Sequence, residues 1–236
     1  MTAGIQQLTP PTAADEGLFG TVMVAARLGR AEKIVGRLRE RYEQEWDDPR
    51  AGFPYALALL ALLQSGREDL RGQLSYTEIV ETLSDLLYHE PGHWLGRYLR
   101  IHTRALLPAD ATEHRGYVIA ERTRAAEDAA ELVGRQDAVE WRPWFACTYL
   151  LAARLAWESG ETGQLDRIPE LIRSAAAKAD AREVGFPSLG GLLCEGFVWY
   201  HSKPGLPERD TAAALMDTLF PAQPAVLRVK EFAREH

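Results

Sequence analysis

An all-α fold built from stacked helix pairs is what this sequence predicts, and three observations predict it. No run of alternating Val, Ile, Thr and aromatic residues between turn signals marks a strand. Several segments carry apolar residues at i, i+3, i+4 and i+7, which is one face of a helix. Between these amphipathic segments lie three that are almost uncharged: Pro54–Gln64 has no charge, Trp144–Trp157 has Arg154, and Leu189–His201 has Glu195. A helix apolar nearly all round must be covered on most sides, so the uncharged segments are expected inside and the amphipathic ones around them.

Taken in order, residues 1–14 (MTAGIQQLTPPTAA) are polar and rich in Pro and Thr, and are expected to form a flexible N-terminal arm. Five helix pairs are expected next: 16–28 with 31–46, 53–65 with 76–90, 92–107 with 115–135, 142–159 with 163–179, and 187–202 with 208–220. Ile34, Val35, Leu38, Tyr42 and Trp46 make the stripe of the first partner helix. Ile79, Val80, Leu83, Leu86 and Leu87 make the next, and Ile168, Leu171, Ile172, Ala175 and Ala176 a third. Pro49, Pro54, Pro108, Pro143 and Pro187 fall near expected helix starts or in loops, where a missing N–H does little harm. Gly29, Gly66 and Gly160 each close a first helix. Residues 221–236 hold PAQPAV and then LRVKEFAREH, expected as a C-terminal capping segment with a short helix.

The text around the three glycines repeats: LGRAEKIVGRL, SGREDLRGQL and SGETGQLDRI. Pair starts at 16, 53, 92, 142 and 187 recur at intervals longer and less regular than the roughly 34-residue tetratricopeptide (TPR) period. With Arg154–Arg173 (RLAWESGETGQLDRIPELIR) as the closest match to a helix–turn–helix junction, residues 15–220 resemble a degenerate TPR-like helical-repeat domain. The resemblance implies helix-turn-helix repeats stacked as a right-handed α-solenoid, with first helices lining a concave, partner-binding face. An irregular α-helical bundle is the alternative architecture.

Composition excludes several classes. Hydrophobic residues at 46% and charged residues at 26% are ordinary globular usage, not disorder. A net charge of −7 argues against nucleic acid as a partner. The longest uncharged apolar stretch, Phe53–Ser65, is too short to span a membrane, so none is expected as a partner. No basic stretch leading into an apolar one opens the chain, so no secretory leader is expected. Cys147 and Cys194 are too few for a disulfide scaffold and sit in apolar helices, which fits a reducing, cytoplasmic setting. The basic residues of 27–41 interleave with acids, as on a salt-bridged surface.

Three features bear on chemistry. His89-Glu90-Pro91-Gly92-His93 matches H-E-x-x-H, the zincin metallopeptidase pattern, and with Gly96 it resembles the longer H-E-x-x-H-x-x-G stretch of metzincins. That resemblance implies His89 and His93 as zinc ligands and Glu90 as general base, making a zinc-dependent hydrolase one alternative function. Zinc chemistry of this type needs both histidines on one continuous helix. Pro91 inside a helix would cost about 3 kcal/mol, Gly92 is a second breaker, Leu99 stands where a third ligand would be, and no strands accompany the motif. The segment therefore reads as an interhelical turn, and no metal, cofactor or catalytic residue is expected. Arg97, Arg100 and Arg104 are spaced to share one helix stripe with His93, opposite Trp94, Leu95, Tyr98 and Leu99. Three guanidiniums on one face suit a carboxylate, an acidic helix or a phosphate; otherwise they form a solvated face neutralised by Glu78, Glu81 and Asp85. Arg154 and Glu195, lone charges in apolar helices, are expected either to pair with each other or with neighbouring helix ends, or to line a pocket with Tyr149, Trp199, Tyr200 and His201.

The function expected is a protein-interaction or scaffold module that binds a peptide or partner protein in a helical groove. The main alternative is a regulatory or biosynthetic protein that binds a small acidic ligand near Arg154 and Glu195. A homo-oligomer is compatible with either.

Overall fold

The computed structural model describes residues 7–65, 76–107, 115–160, 162–179 and 182–235. The fold is all-α, and no strand forms among the described residues. The contacts divide the chain into two compact units, Met1–Arg115 and Gly116–His236.

The first unit contains α1 (Ala13–Arg27), α2 (Glu32–Gln44), α3 (Pro49–Gln64), α4 (Tyr76–His89) and α5 (Trp94–Ala105). Each boundary has a local cause. Thr12 caps α1 in a reciprocal box with Asp15. Asp48 caps α3, with Pro49 in the first turn where its missing N–H costs nothing. α3 is the centre of the unit: α1, α2 and α4 all pack on it, and α4 packs in turn on α5. Its residues Ala56 to Ala61 are buried without exception, as its uncharged sequence requires. Gly52 lets α3 approach its neighbours, because a Cβ there would lie 2.7 Å from Thr82 Cγ2 and 3.0 Å from Tyr42 Cε2. On the outer face of α2, Arg39 pairs with Glu43 at 3.0 Å and Arg41 with Glu45 at 2.9 Å.

The second unit contains α6 (Arg115–Asp137, its first residue aside), α7 (Phe145–Ser159), α8 (Thr162–Leu165), α9 (Ile168–Lys178), α10 (Leu189–Leu193), α11 (Glu195–Ser202), α12 (Arg209–Leu219) and α13 (Pro224–Glu235). α7 packs on α9 and on α11, α9 on α12, and α11 on both α12 and α13. Gly160 ends α7 in the left-handed conformation, φ 68°. Gly196 on α11 sits against α7, a Cβ there being 3.6 Å from Leu150 Cβ.

Several sequence expectations are corrected. Thr9 in the N-terminal arm is pinned rather than loose: it forms a parallel bridge with His93, its N–H donating to Gly92 O at 2.8 Å and its carbonyl accepting from Trp94 N–H at 3.3 Å. Residues 1–6 lie outside the described residues, as do Gly66, Pro108 and most of SGREDLRGQL. The segments expected as a third pair, 92–107 and 115–135, fall in different units. The helix expected at 163–179 is two, α8 and α9, with Pro169 in the first turn of α9. That expected at 187–202 breaks at Cys194, after Gly190 and Gly191. Trp46, placed on the apolar stripe of α2, lies beyond the end of that helix and is 80% exposed.

Candidate functional site

In the first unit, the H-E-x-x-H segment is a turn. His89 ends α4, His93 is the N-cap of α5, and Glu90 is ion-paired with Arg50 of α3. Glu90 is thus committed to a structural partner, and the two histidines sit on different elements. His93 Nδ1 accepts the Gly96 N–H at 3.0 Å. No group of three or more His, Cys, Asp or Glu side chains among the described residues is placed to hold a metal ion.

The arginines of α5 do not form the exposed grip that their spacing suggests. Arg97 and Arg104 are buried and Arg100 is half-buried. Arg97 Nη2 donates to Pro91 O at 3.3 Å, and Arg100 Nη1 donates to Ser84 Oγ on α4 at 3.2 Å. The reason is that α5 is an inner helix on every side, with all its residues buried except Arg100. The Arg97 and Arg100 guanidiniums therefore turn to backbone and to a neighbouring helix.

In the second unit the sequence grouping of Arg154, Glu195, Tyr149 and Trp199 separates into two places. Tyr149 and Arg154 are five residues apart on α7, about 140° around the helix, so they leave it in different directions. Tyr149 is buried and its hydroxyl donates to Asp137 of α6. Lys178 of α9 completes this cluster, pairing with Asp137 and donating to the Tyr149 oxygen at 3.2 Å. Burial, reinforced by the Asp137 hydrogen bond, holds the Tyr149 hydroxyl protonated well above the usual phenol range. Beside it is a cleft of about 140 Å³, lined by Asp137, Tyr149, Arg167, Glu170 and Ser174 among others. Its lining carries two carboxylates, Asp137 and Glu170, against the single cation Arg167, so it offers no cationic grip for an acidic ligand.

On the other side of α7, Arg154 turns to its own helix, not to Glu195. Its Nε donates to Glu158 Oε1 at 3.0 Å, a pair one helical turn apart. Arg122 of α6 approaches the other Glu158 oxygen at 3.7 Å. The Arg154 guanidinium lies over the Trp199 ring of α11, 5.2 Å from its centroid, and Lys203 Nζ stands 6.0 Å from the same ring. Glu195 is half-buried at the start of α11, one turn from Trp199. Tyr200 leaves the site altogether, donating to Pro207 O, while the His201 carbonyl accepts from Arg209. Beside Arg154, Trp157 is partly exposed.

Sequence reasoning missed Arg122, which lies on another element at no informative spacing, and Lys203, which follows Trp199 by four residues at the end of the same helix. It also missed Asp137 and Lys178, each of which reads as one more solvated charge until the fold brings it to Tyr149. No family model, curated protein or solved structure matches the chain.

Proposed function

We propose that this protein is a helical-repeat interaction module of the TPR-like type, and that it takes a peptide or partner-protein segment on the face shared by α7 and α11. The observation that carries this reading is Trp199 with two cations over its ring, Arg154 at 5.2 Å and Lys203 at 6.0 Å from the centroid. A tryptophan under two cations offers a large apolar contact of the kind that dominates binding energy at interfaces, with exposed Lys203 beside it to attract a carboxylate. Support for the repeat architecture comes from the packing of the second unit. First helix α7 lies on first helix α11, second helix α9 lies on second helix α12, and each first helix lies on its own second. That is the neighbour pattern of stacked pairs, in which each repeat buries a face it cannot bury alone.

An acidic peptide fits better than a small acidic ligand. Arg154 is already paired with Glu158, so the available charge is the exposed Lys203 at the surface and not a cation focused in a pocket. The test is affinity capture with full-length protein, run side by side with Trp199→Ala and Lys203→Glu. A partner retained by the parent chain and depleted about tenfold by both variants, with capture weakening as salt rises, supports the reading. Equal recovery on all three baits overturns it. A metabolite that raises the melting temperature of the parent chain but not of Arg154→Met would favour the small-ligand function instead.

A further inference from the structure

We propose that residues 7–12 form a latch on the junction between α4 and α5, and that this latch opens when His93 gains a proton. The inference concerns the first unit and is independent of the binding face above.

Two backbone hydrogen bonds hold the latch at Thr9. Thr9 N–H donates to Gly92 O and Thr9 O accepts from Trp94 N–H, so its two hydrogen bonds straddle His93. Gly92 is what admits it. A Cβ at position 92 would stand 2.6 Å from the carbonyl oxygen of Gln7, so any other residue pushes the strap away. Pro10 and Pro11 follow, and Pro11 is buried. They pre-set an extended backbone and bring no further N–H to satisfy. Thr12 then starts α1.

His93 sits between those two hydrogen bonds and caps α5 with its ring. Because Nδ1 accepts the Gly96 N–H, that nitrogen carries no proton in the closed state. Adding one sets two donors face to face. It also places a positive charge at the positive end of a helix. The ring has little room to turn in place, since it packs on Phe53 of α3 with centroids 4.5 Å apart. Relief therefore comes from moving the backbone at 92–94, the backbone that holds Thr9.

The surrounding charges act in both directions. Asp15 of α1 and Glu90 favour the imidazolium, although Asp15 is engaged in the cap of α1 and Glu90 is paired with Arg50 of α3. Arg97 of α5 is the nearby cation on its own helix, and Asp85 and His89 close α4. Burial outweighs the acids and holds the His93 pKa below its ordinary value. The closed state is therefore fully favoured above about pH 6.5. Its advantage is lost as pH falls from there through the depressed value.

Amide hydrogen exchange on the full chain tests this, corrected for the intrinsic effect of pH. Protection at Thr9, Trp94 and Gly96 is expected to fall about tenfold between about pH 7.5 and pH 5, while the core of α3 stays protected. His93→Asn and His93→Ser keep a neutral cap acceptor and are each expected to abolish the pH response. His89→Asn is expected to retain it. Gly92→Val is expected to expose Thr9 at every pH. Constant protection in the parent chain, the same fall in both His93 variants, or a fall shared equally by α3 would each overturn the latch.

Discussion

Buried hydroxyls set the chemistry of individual residues here. Tyr55 donates to Glu78 at 2.9 Å, and burial followed by that hydrogen bond pushes its pKa up to about 12. Burial, with the nearby Glu208 charge, raises Tyr200 to about 12 as well. Both groups are protonated more firmly folded than unfolded. They therefore contribute stability that is whole below about pH 10 and drains away as pH rises toward 12. Denaturant midpoints measured across that range should fall, and Tyr55→Phe should flatten part of the fall. Tyr149→Phe removes the hydroxyl shared by Asp137 and Lys178 and should cost about 1 kcal/mol by denaturant titration. A larger loss would mean that the Tyr149 hydroxyl also orders α9. The buried thiols are chemically quiet: burial raises both Cys147 and Cys194, the latter to about 12, which disfavours the reactive thiolate.

Helix ends and close approaches decide the elements. Thr12→Ala breaks the reciprocal box with Asp15 and should cost about 1 kcal/mol, measured by chemical denaturation. The contact of α3 with its neighbours is less tolerant. Gly52→Val places methyl groups against Thr82 and Tyr42, where a Cβ alone is already 2.7 Å and 3.0 Å from their atoms, and should cost about 1–3 kcal/mol. At this scale most of the sequence pattern was legible. The period of apolar residues located α2 and α4, and the lack of charge located α3 and α7, each within a few residues, because burial on one face leaves a periodic trace and burial all round leaves an uncharged one. It failed where backbone chemistry intervened. The interruption at Cys194 and the Pro in the first turn of α9 divide apolar runs that read as continuous. The stripe through Trp46 outlasted its helix.

Across the whole chain, each unit keeps its own apolar centre, α3 in the first and α7 with its neighbours in the second. Leu83→Ala and Leu150→Ala, both at fully buried positions, should each cost about 2–5 kcal/mol, read from denaturation curves of the full chain. A markedly smaller cost at either site would mean that the surrounding helices close over the cavity. What the amino-acid sequence determined by itself was the helical class, the inner position of α3 and α7, and the turn at Glu90–Gly92. Periodicity, charge and Pro-Gly chemistry are local, and each acts within a few residues. Tertiary structure alone decided which charges meet. Arg97 and Arg104 are buried because α5 is covered on both faces, Arg154 answers to Glu158 and Trp199, and Tyr149 answers to Asp137 and Lys178. A spacing states which face of its own helix a side chain occupies; what lies opposite that face depends on segments far away in the chain, and only their packing supplies it.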